Sequence, residues 1–322
     1  MKRNLLLTST ISLAALLAAC ERPTPSAPRG TPGGPSLSAR APTDQQDPAL
    51  QKVLEINAAL RAAGSKISVE GVEFFTIGQG RPSIRIHQSG LRFVPGDPRR
   101  EAAGDDITYL VRDSRGATAS GLSPVQSGGA IDAALGTWDG SRALKKVMIV
   151  KRGEGANDPD IFDGFFPGFE DPNEASATVF QADIIEAGWR PRAFFETVGG
   201  PGGGRGILAF TVSFIFTDAA GNPTDINGDN YLDEAFSEVY YNDNFGAPGG
   251  DRAGNPWRIG LSLPAIDVQT VALHENGHAL GLGHFGPPPA AVMNPVYAGI
   301  RQSPLATDLA GMNAVWASWP NP

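Results

Sequence analysis

The chain contains the stretch His274-Glu275-Asn276-Gly277-His278-Ala279-Leu280-Gly281-Leu282-Gly283-His284, and three of its four histidines lie in these eleven residues. On a helix, two residues four positions apart are offset by about 40° and by about 6 Å along the axis. The imidazoles of His274 and His278 can therefore reach one metal ion from the same helix face. This spacing predicts a metal-binding helix.

His284 can complete the ligand set only if that helix ends before it. On a continuous helix, a residue six positions past His278 would be turned about 240° away from it. Gly281 can adopt the left-handed conformation that ends helices, and a sharp turn there would bring His284 back to the ion. We therefore predict three histidine ligands to one zinc ion, with the fourth position open for water.

Glu275 is the candidate general base. It is rotated by about 100° from His274 on the helix, so it flanks the ion without joining its ligands. From there a carboxylate can take a proton from water activated by the metal and pass it to a leaving amine. The stretch therefore predicts metal-assisted hydrolysis.

Three other interpretations of the stretch stay open. A short His-Glu-x-x-His motif recurs by accident, and its histidines are then ordinary helix residues. Alternatively, the third metal ligand could be a distant glutamate in place of His284, as in another type of zinc enzyme. A non-catalytic surface lipoprotein that binds a partner could use the metal for stability alone, but such a site has no need for Glu275 and normally closes its fourth position.

The longer pattern H-E-x-x-H-x-x-G-x-x-H, followed by Ala291-Val292-Met293-Asn294-Pro295, resembles the metzincin zinc peptidases and, among them, the matrixins. The second segment is similar to the family's Met-turn, in which a methionine, here Met293, lies beneath the zinc site. The resemblance implies an α+β fold, namely a metzincin-like catalytic domain with a twisted mixed sheet, an active-site helix and a C-terminal subdomain with the Met-turn. It also implies a zinc-dependent endopeptidase that acts on polypeptide, with the three histidines as zinc ligands and Glu275 as the base.

The likeness to matrixins extends over about two thirds of the chain, with three departures. The other similar segments are Ile107-Thr108-Tyr109, Ile131 to Trp138, Tyr240 to Phe245 with Trp257, and Asp308 to Met312. Phe285 stands where matrixins usually have a small polar residue, Asn276 stands where an apolar residue is usual, and Val179 to Gly206 has no counterpart. The single cysteine, Cys20, lies in a lipobox-like stretch at the end of the N-terminal apolar segment, which excludes the cysteine-switch latency of many matrixins.

Hydrophobic patterning predicts strands mixed with a few helices, which is typical of an α+β domain. The predicted strands are Ile67 to Ile77, Ile84 to His87, Ile107 to Val111, Lys146 to Val150, Ile207 to Phe216 and Glu238 to Tyr241. The predicted helices are one from Pro48 that stops at Gly64, Ala130 to Trp138, Ile266 to Leu280, and one capped by Ser303 that runs to about Trp316. The first helix has Asp47 as its N-cap and places Leu50, Val53, Leu54 and Leu60 on one face.

The N-terminus is typical of an export signal of the lipoprotein type. A positive start precedes an apolar stretch, and Leu17-Ala18-Ala19-Cys20 resembles a bacterial lipobox, so Cys20 is the predicted lipidation site. An ordinary signal peptide followed by an incidental cysteine is the alternative.

The predicted domains are a signal peptide at 1–19, a flexible tether at 20–46, a small N-terminal region at 47–104 that is a propeptide or an accessory domain, and a zinc peptidase domain at 105–320. We expect a protein that is anchored by lipid to the cell envelope, at the outer membrane in a Gram-negative host, or secreted.

A second metal site is predicted between Asp225 and Glu234. Oxygen-bearing side chains at alternate positions resemble the start of an EF-hand-type calcium loop. The candidate calcium ligands are Asp225, Asn227, Asp229, the carbonyl of Tyr231, and Asp233. Phe236 stands where such a loop has glutamate, so a solvated turn is the alternative.

Composition limits the remaining functions. Glycine (40 residues) and proline (27) make up about a fifth of the chain, which predicts a loop-rich globular protein. The formal net charge of −8 argues against a nucleic-acid partner, because phosphate binding needs a basic face. No internal stretch reaches the roughly 18 apolar residues of a membrane span, so a lipid anchor would be the only membrane attachment. We expect a monomer.

Overall fold

The computed structural model describes residues 47–320 except 101–103, 142–143, 145, 156–159 and 170–180. The predicted signal peptide, Cys20 and the tether lie outside the described residues. Within the described ranges, no helix combines the length and the apolar character needed to cross a membrane.

Runs of strands are separated by helices along the described chain. The helices are α1 (Pro48–Ala62), α2 (Pro124–Asp139), α3 (Arg192–Gly199), α4 (Gly203–Gly206), α5 (Val268–Ala279) and α6 (Ala306–Trp316). The strands are β1 (Ile67–Thr76), β2 (Ile84–Arg85), β3 (Leu91–Arg92), β4 (Ile107–Val111), β5 (Ile149–Lys151), β6 (Ile184–Arg190), β7 (Ile207–Phe216), β8 (Leu232–Asn242), β9 (Trp257–Arg258) and β10 (Ile266–Asp267).

Eight of these strands form one mixed sheet, in the order β2-β1-β7-β8-β6-β4-β5 with β3 pairing with β8 beside this path. Strands β8, β6, β4 and β5 run parallel to one another, whereas β7 is antiparallel to β8 and β1 is antiparallel to β7. Strands β9 and β10 form a separate parallel pair. The mixed sheet with its helices confirms the predicted α+β fold class.

Each face of the sheet packs against its own hydrophobic core. Helices α2 and α5 contribute to one core, which also contains Trp138, Met293 and Trp316. Helices α1 and α3 contribute to the other, which is rich in phenylalanine and includes Phe74 and Phe210. Helix α5, which carries two of the three predicted metal ligands, therefore lies against the sheet in the first core.

Helix α1 begins and ends where its sequence predicts. The carboxylate of Asp47 accepts from the N–H of Ala49 at 2.8 Å, and Gly64 has a φ of +75° just past the end. The predicted apolar face is wrong at Leu54, whose surface is 46% exposed, and Ile56 is buried instead. The helix packs through Ile56 and its neighbours because the sheet lies on that side.

Several predicted elements have different bounds in the structure. The predicted strand Lys146 to Val150 is Ile149–Lys151, and the predicted strand Ile84 to His87 ends at Arg85. Helix α2 begins at Pro124, before the predicted Ala130, because Ser123 and Gln126 form a capping box ahead of it. Helix α6 begins at Ala306, after the predicted start at Ser303. Strand β8 extends the predicted Glu238 to Tyr241 at both ends, since its first residues pair with β7 and β3.

Strand β6 and helix α3 lie in the stretch from Val179 to Gly206, for which no element was predicted. Strand β6 is buried along its whole length although it contains Glu186 and Arg190. Charged residues and a glycine obscure the apolar pattern that normally indicates a buried strand.

The segment before residue 104 contributes an inner strand to the main sheet. Strand β1 pairs with β7 from Ile67 opposite Phe216 to Thr76 opposite Ile207. The described residues all belong to one compact unit. The boundary placed at residue 104 therefore does not coincide with a break in the sheet or in the core.

Candidate metal centre

Helix α5 is buried between the sheet and α2. The carboxylate of Asp267 caps it by accepting from the N–H of Thr270 at 2.9 Å. Of its twelve residues only Gln269 is not fully buried. Because the helix is fixed on all sides, the side chains that it directs to one point keep a defined geometry.

The three predicted histidine ligands converge through their Nε2 atoms. These atoms are 3.1 Å apart between His274 and His278, 3.2 Å between His278 and His284, and 3.3 Å between His274 and His284. Ligands at about 2.0–2.1 Å in a tetrahedron around zinc lie roughly 3.3 Å from one another. Among the described residues, this is the one group of three or more histidine, cysteine or acidic side chains close enough to share a metal ion.

The turn that brings His284 to the other two histidines is centred on Gly281. Gly281 has a φ of +84°, and its N–H donates to the carbonyl of His278 at 2.8 Å. The N–H of Leu282 donates to the carbonyl of Gly277 at 2.9 Å, which completes a Schellman motif. The helix therefore ends in the left-handed glycine conformation expected from the sequence.

Backbone carbonyls orient two of the imidazoles. Nδ1 of His274 lies 2.7 Å from the carbonyl oxygen of Val292, and Nδ1 of His278 lies 2.8 Å from that of Leu282. An N–H at Nδ1 leaves the Nε2 lone pair free for a metal. Burial lowers the pKa of both histidines well below its usual value, so both rings are held in the neutral form that binds metals.

Side chains from the N-terminal part of the chain contact two of the three imidazoles, those of His274 and His284. Phe75 of β1 stacks on His274, with ring centroids 3.8 Å apart and an interplanar angle of 9°. Nδ1 of His284 lies 3.3 Å from Oγ of Ser83 and 3.5 Å from Oε2 of Glu73. No local sequence pattern indicates these contacts, because about 200 residues separate the partners.

Glu275 lies beside the triad with one carboxylate oxygen held and the other free. Its Oε2 accepts from Oγ1 of Thr211 in β7 at 2.7 Å, while the buried Oε1 has no hydrogen-bond partner. Burial, and to a smaller extent the carboxylates of Glu186 and Glu73, raises the pKa of Glu275 well above its usual value. A buried carboxylate oxygen without a partner, next to three converging imidazoles, fits a metal site that also binds water.

Met293 lies against the middle of the metal-binding helix. A Cβ at Gly277 would be 2.3 Å from the sulfur of Met293, so glycine is required for this close approach. The turn around Met293 is fixed from below, because Asp308 accepts from the N–H groups of Val292 at 2.8 Å and Met293 at 3.1 Å. This is the position that the resemblance to a Met-turn implies.

The unusual Asn276 has a polar partner under the helix. It donates to Oε1 of Glu186 in β6 at 2.6 Å, and Tyr241 in β8 donates to Oε2 of the same carboxylate at 2.7 Å. All three side chains are buried. Sequence reasoning missed this network, because Glu186 lies in the strand that was not predicted.

The structure does not support the predicted calcium loop. The five candidate ligands were Asp225, Asn227, Asp229, Tyr231 and Asp233. Asp225 accepts two backbone N–H groups of its own loop, at 3.0 Å each. Asp229 pairs with the buried Arg92 at 2.5 Å, and Asp233 pairs with Arg99 at 2.8 Å. The arginines already neutralise the carboxylates that a calcium ion would need.

The comparisons with known proteins agree with the geometry of the metal centre. The Matrixin family model matches residues 215–317, which include α5, all three histidines and Met293. No curated protein matches the chain. Residues 215–317 are therefore similar to the Matrixin family, and this similarity supports, in general terms, a matrixin-like zinc metallopeptidase.

Proposed function

We propose that the chain is a zinc-dependent endopeptidase that cleaves polypeptide outside the cytoplasm, with His274, His278 and His284 as zinc ligands and Glu275 as general base. The observation that carries the proposal is the convergence of three Nε2 atoms, together with a buried carboxylate oxygen of Glu275, the residue after His274, that has no hydrogen-bond partner. The match to the Matrixin family supports a zinc site and a polypeptide substrate.

The three histidines would hold the ion, and zinc bound there would supply a Lewis acid for the peptide carbonyl and the attacking water. Oε1 of Glu275 takes a proton from that water and passes it to the leaving nitrogen. Thr211 holds the other oxygen of the same carboxylate, so that Oε1 keeps one direction. The hydrogen bonds at Nδ1 of His274 and His278 keep their rings oriented through the reaction.

A non-catalytic role for the metal is not favoured. A structural site needs no carboxylate beside its ligands, and burying one without a partner costs stability. Glu275 is fully buried and leaves Oε1 unpaired. This arrangement is reasonable in an enzyme, where the free oxygen takes part in proton transfer.

The predicted lipid anchor at Cys20 is part of the same proposal. An export signal with a lipobox supports an enzyme attached to the cell envelope. Anchoring by more than one acyl chain would keep it at a membrane surface. Its substrates would then be extracytoplasmic polypeptides.

Replacing Glu275 with Gln tests the proposed function. We expect casein hydrolysis to fall by about 10²–10⁴-fold, because the proton acceptor is lost. Zinc content should stay at the wild-type level, because Glu275 is not a ligand. Hydrolysis by the wild type should stop when 1,10-phenanthroline removes the metal and return when zinc is added.

The control for the Glu275 variant is Glu70→Gln. Glu70 is a buried glutamate of β1, and its Oε2 lies 2.6 Å from Nδ1 of His87 rather than next to the histidine triad. This variant should cleave casein like the wild type. Undiminished hydrolysis by Glu275→Gln, in a preparation whose activity still depends on zinc, would refute the assignment of the base.

A further inference from the structure

His284 differs from the other two histidines in how its ring is held. The rings of His274 and His278 are oriented by backbone carbonyls next to the metal-binding helix, at 2.7 and 2.8 Å. The ring of His284 lies past the end of that helix, and its side chain is 13% exposed. Its Nδ1 has Oγ of Ser83 at 3.3 Å in place of a carbonyl.

Ser83 is held in turn by a fixed carboxylate. Its hydroxyl donates to Oε2 of Glu73. Oε1 of Glu73 accepts from both Nε and Nη2 of Arg85, each at 2.7 Å. Glu73 is only 4% exposed and lies on β1, Arg85 lies on β2, and Ser83 immediately precedes β2. The anchoring residues thus lie on, or directly next to, two paired strands.

The direction of these hydrogen bonds suits a metal ligand. With Nε2 facing the other two imidazoles, Nδ1 of His284 carries the proton and donates to Ser83, and Ser83 donates to Glu73. Such an arrangement of hydroxyl and carboxylate fixes the tautomer of a ligating histidine and strengthens the ligand.

We propose that Ser83 and Glu73 are positioning residues for the zinc ligand His284, so that these two residues of the N-terminal segment belong to the metal centre. This inference rests on the proposed function, because it takes zinc as the ion bound by the triad. It assigns to the N-terminal segment a role in metal binding that the motif at 274–284 does not contain.

Zinc affinity of the full-length variants, measured by competition with a chelator, tests the inference. Loss of an outer partner typically lowers metal affinity by about 10–100-fold, and we expect this loss in Ser83→Ala and in Glu73→Gln. Ser83→Thr keeps the hydroxyl and should bind zinc like the wild type. The matched control is Glu70→Gln on the same strand, whose carboxylate binds His87, and it should also bind zinc like the wild type.

A spectroscopic measurement separates positioning from general loss of stability. With Co²⁺ in place of zinc, the visible absorption should change in Ser83→Ala and stay unchanged in Ser83→Thr and Glu70→Gln. If Glu73→Gln does not fold, the pair of Ser83 variants still decides the question.

Wild-type zinc affinity and an unchanged cobalt spectrum in Ser83→Ala would overturn the role of Ser83 and Glu73 and leave the proposed function intact. Failure of the wild-type chain itself to bind zinc would overturn the proposed function, and this inference with it.

Discussion

Glu186 is a carboxylic acid buried beneath the metal-binding helix, with Asn276 and Tyr241 as hydrogen-bond donors. Burial raises its pKa from 4.5 to about 7, although the two donors oppose the shift. Below pH 4.5 the group is protonated in both the folded and the unfolded chain. Between pH 4.5 and about 7 the unfolded chain loses this proton while the folded chain keeps it, so the stability of the fold decreases as the pH rises.

We predict that Glu186→Gln removes this pH dependence. A shift of this size corresponds to about 3 kcal/mol in the free energy of unfolding. The stability of the wild type relative to Glu186→Gln should therefore fall by about that amount between pH 4.5 and pH 8. Urea unfolding of both zinc-free proteins at several pH values measures the difference. A difference that does not vary with pH would contradict the raised pKa.

At the scale of single residues, sequence spacing predicted the members of the triad, because helix geometry relates positions a few residues apart. It could not find Ser83 or Thr211. These side chains reach the site through the pairing of distant strands, and no local pattern records that contact. Asn276 was seen only as a departure, since its partner Glu186 lies 90 residues away.

Among the elements, the end of helix α5 is the one on which the metal centre depends most. Gly281 has a φ of +84° and also lies close to the backbone of β3, since a Cβ at this position would lie 2.7 Å from the carbonyl oxygen of Leu91. Alanine would therefore meet both the left-handed penalty, about 1–2 kcal/mol, and a backbone clash. Relief of that clash would move His284.

We predict that Gly281→Ala lowers zinc affinity by at least about 10-fold. This is the lower end of the loss that is usual when a residue hydrogen-bonded to a metal ligand is replaced. The matched control is Gly64→Ala, at a φ of +75° with nothing within 4 Å of the added Cβ. That variant should lose about 1–2 kcal/mol of stability and bind zinc normally. Chelator competition and urea unfolding measure the two effects. Equal zinc affinities in the two variants would argue against the turn as the cause.

The elements that the sequence predicted well are those with local signals. Helix α1 has a capping aspartate and a terminal glycine, and β7 is an uninterrupted apolar run. Strand β6 was missed, because Glu186 and Arg190 are buried there with partners from other elements, namely Tyr241 and Asp160. Burial supported by distant partners does not produce an apolar pattern.

For the molecule as a whole, the structure joins the segment before residue 104 to the rest through shared core residues. Phe74 of β1 is fully buried in the phenylalanine-rich core, with its ring 6.0 Å from that of Phe210. All five tryptophans lie after residue 104. Tryptophan fluorescence therefore reports the unfolding of the residues after 104, against which β1 packs.

We predict that Phe74→Ala lowers the stability reported by tryptophan fluorescence by about 3–5 kcal/mol, the usual cost of deleting a buried phenylalanine ring. The control is Leu54→Ala on the exposed side of α1, which should change stability by no more than about 0.5 kcal/mol. If the tryptophan transition of Phe74→Ala coincided with that of the wild type, the N-terminal segment would be a separate folding unit.

X-ray absorption at the zinc edge of the zinc-loaded full chain tests whether His274, His278 and His284 bind one zinc ion, because it counts the imidazoles bound to the metal. We expect one zinc per chain with three imidazole nitrogens at about 2.0–2.1 Å, and a loss of one imidazole or of the metal in His284→Ala. An identical zinc environment in His284→Ala, or fewer than three imidazoles in the wild type, would refute the three-histidine site.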